Sequence, residues 1–224
     1  MKKIIMSLLA AATVCSPVLA NSKLAKGYYT MDSMGCMLLR ECTDGVTKVE
    51  SINTIANVHS NSNYDIIANE FNNMLVSLRR VGVNVFLADE KYFPVGHRGV
   101  YHTVGNNFFL NKTFMRLPRV LMSVMRHEGW HAAQDCMAGT IDNSMIAIIL
   151  DEEKVPQLWQ DMATHTYKNM PNAIPWEKEA TWAGKTEGMT AKALESCARG
   201  TMWSDYDPTP MTREWLVKNG YLDK

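Results

Sequence analysis

His127-Glu128-Gly129-Trp130-His131 gathers two imidazoles and a carboxylate into one short stretch. On an α-helix, residues four apart lie one turn apart on the same face. His127 and His131 can therefore present nitrogens to one metal ion while Glu128 leans into the same cleft. The flanking sequence favours that helix: Leu117-Pro118-Arg119-Val120-Leu121-Met122-Ser123-Val124-Met125 supplies a proline suited to a first turn, and positions 121, 124, 125, 128 and 131 keep one face. With 6 His in 224 residues, the arrangement arises by chance in about one chain of this composition in a hundred. Two His and a Glu buried there without a metal would be costly. A tetrahedral catalytic zinc site needs one more protein ligand and a water.

Upstream, Met1-Lys2-Lys3, an apolar stretch over 4–14 and then Val18-Leu19-Ala20 read as a signal peptide over 1–20, cleaved after Ala20. The apolar run is shorter than the roughly 20 residues a membrane span needs, and Ser16-Pro17 breaks it. The mature chain, 21–224, is expected to be a single exported domain, periplasmic or secreted, monomeric and without a transmembrane segment. Lys+Arg and Asp+Glu are both 23, the formal net charge is +0, and no long basic run occurs. That balance argues against nucleic acid as a partner. Of 5 Cys, Cys15 lies in the leader. Cys36, Cys42, Cys136 and Cys197 remain, an even number that in an exported chain suggests two disulfides with three possible connectivities. Cys36–Cys42, closing a local loop, and Cys136–Cys197, tying the end of the motif helix to a late helix, are favoured over cysteine ligation of zinc.

The mature chain begins with a polar, Met-rich lead-in over 21–44 that carries no evident chemistry. Ile67, Phe71, Met74, Leu75 and Leu78 recur at three and four, predicting a helix over 64–81 that ends near Gly82. Residues 83–87 alternate as a strand, and 99–104 with 107–110, separated by Gly105, predict a hairpin. After the motif helix, Ala138-Gly139-Thr140 reads as a stop. Residues 151–167 predict one or two helices interrupted at Pro156, and a helix starting near Trp176 continues to about Ala198. A last helix runs from Thr212, as a cap, to Asn219-Gly220.

The H-E-x-x-H stretch resembles the zinc-binding helix of zincin metallopeptidases, and the order helix, strands, motif helix resembles their amino-terminal lobe. The resemblance implies an α+β, zincin-like fold: a small mixed or antiparallel sheet with the motif helix packed beneath it over about 48–137, and a mainly helical part over about 138–224. It also implies a strand at the sheet edge above the zinc that would pair with an extended peptide, for which Asn106 to Asn111 is the candidate; a plain buried strand is the alternative. Metzincins continue the motif with Gly and His where Gln134 and Met137 stand here, which disfavours that branch. Gly139-Thr140-Ile141-Asp142 matches the G-T-x-D of aspzincins without its usual continuation. Glu177-Lys178-Glu179-Ala180-Thr181 resembles the E-x-E-A-[D/N] segment of gluzincins, with Thr181 where Asp or Asn is usual.

Helix geometry separates the two glutamates. Glu177 shares a face with Ala180, Thr181, Gly184 and Gly188, small residues that permit close approach to the motif helix, so Glu177 is the expected third ligand, with Glu179 in reserve and then Asp142. Read as a gluzincin-like site, His127, His131 and Glu177 hold Zn2+ and Glu128 is the general base, with Tyr167 or His165 as a transition-state donor. His59, His97 and His102 lack ligand spacing and read as structural or exposed. The expected function is an exported zinc metallopeptidase acting on protein or peptide substrates. The alternatives are a zincin-like zinc-binding module without turnover, or a zinc hydrolase of a non-protein, cell-wall amide.

Overall fold

The computed structural model describes residues 33–143 and 145–223. The predicted leader over 1–20, with Cys15, lies outside them. The chain order is helix α1 (Ser33–Leu38), strand β1 (Val46–Lys48), helices α2 (Ile52–Val58) and α3 (Asp65–Arg80), then strands β2 (Asn84–Ala88), β3 (Gly99–His102) and β4 (Asn107–Asn111). Six helices follow: α4 (Pro118–Met137), α5 (Gln157–Thr166), α6 (Ile174–Ala183), α7 (Met189–Arg199), α8 (Met202–Asp205) and α9 (Pro210–Lys218). The architecture is α+β, with a small mixed sheet and a helical second half.

The sheet order is β1-β2-β4-β3. β2 runs parallel to β4, while β1 and β3 are antiparallel to their neighbours. Side chains alternate across a strand, and here each face has its own cover. Val85, Leu87, Phe108 and Leu110 enter the main core with Phe71, Leu75 and Leu78 of α3 and Leu121 and Met125 of α4. Phe86, Ala88 and Phe109 face a smaller cluster with Met37, Leu38, Tyr92 and Phe93. β4, paired on both sides and covered on both faces, is buried along its whole length. The strand at Asn106 to Asn111 is thus the buried strand of the two readings, and the edge belongs to β3, its hairpin partner.

α4 is the axis of the fold. Pro118 occupies its first turn, where a missing N–H costs nothing and the ring fixes a helical φ. Its packed side chains include Trp130, Ala132, Ala133 and Met137. α7 comes close at Gly129, where an added Cβ would stand 3.0 Å from Thr190 Cγ2. Cys136–Cys197 then links the two helices, with Cα atoms 6.0 Å apart, and Cys36–Cys42 closes the loop after α1. Both bridges follow the favoured pairing.

Two helix boundaries differ from the sequence expectation. The helix from Trp176 to Ala198 is two helices, α6 and α7, because the chain turns after Gly184 and passes Gly188 at φ 78°, a left-handed conformation that glycine adopts without a Cβ penalty. The last helix is capped by Thr209, whose hydroxyl accepts from Thr212 N, with Pro210 in the first turn.

Candidate metal centre

His127 and His131 project from the middle of α4 on one face, as their spacing requires, with ring centroids 4.9 Å apart and the planes at 87°. α6 crosses that face at close range because Ala180 and Gly184 are small. A Cβ on Gly184 would lie 3.1 Å from Ser123 O and 3.2 Å from His127 Cβ. Two turns earlier on α6, Glu177 reaches both imidazoles: its Oε2 lies 3.1 Å from His127 Nε2 and its Oε1 3.5 Å from His131 Nε2. One ligand atom from each of the three lies within 4.8 Å of the others, a group able to hold a metal ion.

The surroundings fit that group. His131 Nδ1 lies 2.7 Å from Gln134 Oε1. The Gln134 amide nitrogen donates to Glu179 Oε1 at 2.5 Å and to Trp176 O at 3.1 Å. With its NH2 so committed, Gln134 can only accept from His131, so Nδ1 carries a proton and Nε2 faces Glu177. Orientation of a ligand histidine through its second nitrogen is a recurrent feature of metal sites. Glu177 Oε2 is a buried oxygen that makes no hydrogen bond of good geometry despite its nearness to His127, a lone pair a cation would satisfy.

Charges follow the same geometry. Burial alone would raise the Glu177 carboxyl, but the two imidazoles reverse this and hold it well below the usual range. Burial would lower His131, yet Glu177 and Glu128, with Gln134, push it up to about 9. Glu128 is buried beside them; desolvation raises its pKa against the pull of His127, His131 and the Tyr101 backbone N–H. That N–H comes from β3, where Gly99 makes room: a Cβ there would stand 2.6 Å from Val124 Cγ1 and 3.1 Å from Glu128 Oε1. The edge strand and the candidate base are therefore in direct contact.

A cleft of about 470 Å³ opens over His127 and Glu128. Its floor is Ser123, Val124, His127 and Glu128; its walls are residues 95–99, Thr166 and Tyr167, and Thr181, Gly184 and Lys185. Tyr167 faces Glu177, and burial followed by the Glu177 and Glu128 charges raises its hydroxyl pKa. His165 is exposed on α5 and does not line the cleft. Trp130 is fully buried and also leaves the cleft clear.

Glu179 and Asp142 lie elsewhere. Two positions along α6 rotate a side chain by roughly 200°, and Glu179 accordingly accepts from Gln134 and from the backbone N–H groups of Ile149 and Leu150 at 3.0 and 2.8 Å. Asp142 is exposed in the turn after α4. The contact of Gln134 with His131 was missed in the sequence, although its i+3 spacing places it within reach. His97, read as structural or exposed, is exposed and lines the cleft. His59 makes a hydrogen bond to Lys112 O, and His102 is buried.

Comparison with protein-family models, curated proteins and solved structures finds no match for this chain. Among the described residues, no helix is long and apolar enough to cross a membrane.

Proposed function

We propose that this chain is an exported zinc metallopeptidase with a gluzincin-like site. The observation that carries the reading is the convergence of His127, His131 and Glu177 from two helices, with the buried carboxylate of Glu128 beside them. Two neutral nitrogens and one carboxylate are a donor set suited to catalytic zinc, with a place left for water. A module that only bound metal would have no use for Glu128. The two disulfides accord with an oxidising compartment.

His127, His131 and Glu177 would hold the ion, with Gln134 fixing the His131 ring and Glu179 fixing Gln134. Zinc, when bound, supplies Lewis acidity that brings a water pKa toward about 7. Glu128 then takes a proton from the attacking water at its carboxylate and delivers it to the leaving amine nitrogen. Tyr167, which lines the cleft, would donate its hydroxyl to the oxyanion. β3 offers the substrate a strand edge. In an antiparallel pair alternate residues turn their N–H and C=O outward, and β3 stands at the end of the sheet beside β4.

The test is hydrolysis of a mixed peptide library by zinc-loaded protein beside Glu128→Gln. Cleavage that is lost in the variant while zinc is retained supports the reading. Equal cleavage by both excludes Glu128 as the base, and no cleavage by the zinc-loaded wild type leaves a binding module or a zinc hydrolase of a non-protein amide.

A further inference from the structure

Arg98 and Lys185 line the cleft one residue beyond the two glycine contacts that bound the metal group. Arg98 precedes Gly99, which abuts Glu128; Lys185 follows Gly184, which abuts His127. Lys185 Nζ donates to Ser123 Oγ at 2.9 Å, one turn before His127 on α4. The Arg98 guanidinium lies 5.6 Å from the Phe114 ring centroid, a stacked position that reduces the freedom lost when its donors bind a ligand. Among the described residues, neither cation makes an ion pair, whereas nearby Arg126 is closed by Glu70 through two bonds of 2.6 Å. Arg98 and Lys185 are near enough to feel each other's charge. Glu128 is the one carboxylate among the described residues lining the cleft.

We propose that the cleft selects a substrate carrying a carboxylate close to the bond cleaved, received by the planar donors of Arg98 with Lys185 as a second positive charge. Cleavage of the selected ligand rests on the peptidase reading, whereas the selection itself is a property of the cleft. Arg presents paired donors matched to a carboxylate, and a lysine adds an unspecific point charge. The carboxylate belongs to an acidic side chain or to the end of a peptide, which the chemistry of the two cations does not distinguish.

Four labelled peptides of one sequence serve as probes: Glu or Gln at the same position, each with a free or an amidated C-terminus. Binding to zinc-loaded Glu128→Gln is read by fluorescence anisotropy and turnover by wild type as kcat/KM. Each is repeated with Arg98→Gln and Lys185→Gln added, and zinc content reports an intact site. We expect at least about tenfold tighter binding of a carboxylate-bearing peptide, with that ratio falling toward one in the doubly substituted protein. Preference for Glu with either terminus assigns an acidic side chain; preference for the free terminus assigns the chain end. Equal binding of all four peptides, or equal loss of all four in the variants, overturns the proposal. Carboxylate-dependent binding without any turnover would uphold the selection and defeat the peptidase reading.

Discussion

His131 Nδ1 stands 2.7 Å from Gln134 Oε1, and Gln134 stands 2.5 Å from Glu179. These contacts make a buried relay from a candidate ligand to the loop at Ile149 and Leu150. Gln134→Leu should remove the orientation of the ring and weaken zinc binding by about 10- to 100-fold. Competition with a chromogenic chelator measures it. Unchanged affinity would mean that the ring is held by its packing alone.

Zinc binding should depend on pH through His131. In the metal-free chain its pKa is pushed up to about 9, so near pH 7 it holds a proton that the metal must displace. A raised histidine pKa also means that this pair stabilises the fold below the unfolded value of 6.5 and loses that contribution as pH rises through about 9. Affinity should then rise about tenfold per pH unit from pH 7 toward 9. Calorimetry in buffers of different ionisation enthalpy should show release of the His131 proton. A flat pH profile would contradict the pairing with Glu177.

Gly99→Ala tests the contact between the sheet edge and the candidate base. The new methyl would meet Val124 Cγ1 at 2.6 Å and Glu128 Oε1 at 3.1 Å, forcing β3 or Glu128 aside. We expect a stability loss of about 1–3 kcal/mol by urea unfolding. We also expect a larger fractional fall in peptide turnover than in zinc content. Full activity would show that Glu128 does not need its present position.

The grouping of His127, His131 and Glu177 was legible in the sequence because it obeys local rules: i and i+4 on one helix for His127 and His131, and a small-residue face for Glu177. α3 was legible for the same reason, since its period comes from one buried face. What was not legible is non-local. Two hairpin strands next to each other in sequence do not reveal which is outermost, and β4 became central only because β2 pairs with it in parallel. Gly188 read as part of a packing face, while its positive φ ends the helix. Arg98 and Lys185 are 87 positions apart by number and meet only in the folded cleft.

Asp135 gives a separate stability signature. It is fully buried, receives the Tyr101 hydroxyl on Oδ2 at 2.7 Å and leaves Oδ1 without a hydrogen-bond donor. Desolvation, offset in part by Tyr101 and reinforced by Asp142, raises its pKa to about 8. Between its unfolded value of 3.8 and about 8, the folded chain binds a proton that the unfolded chain does not. Stability from this group is therefore full below that window and declines as pH rises through it. Asp135→Asn should remove that slope. The difference between wild-type and variant unfolding free energies, measured by urea denaturation from pH 4 to 8, isolates it from the other titrating groups. A constant difference would contradict the assignment.

Whether His127, His131 and Glu177 hold zinc is read from the zinc content of the purified chain after dialysis, wild type beside Glu177→Ala and Asp142→Ala, by elemental analysis. We expect one zinc per chain in wild type and Asp142→Ala, and none in Glu177→Ala with the fold intact by circular dichroism. Zinc retained in Glu177→Ala, or none bound by wild type even when zinc is supplied, would contradict that expectation.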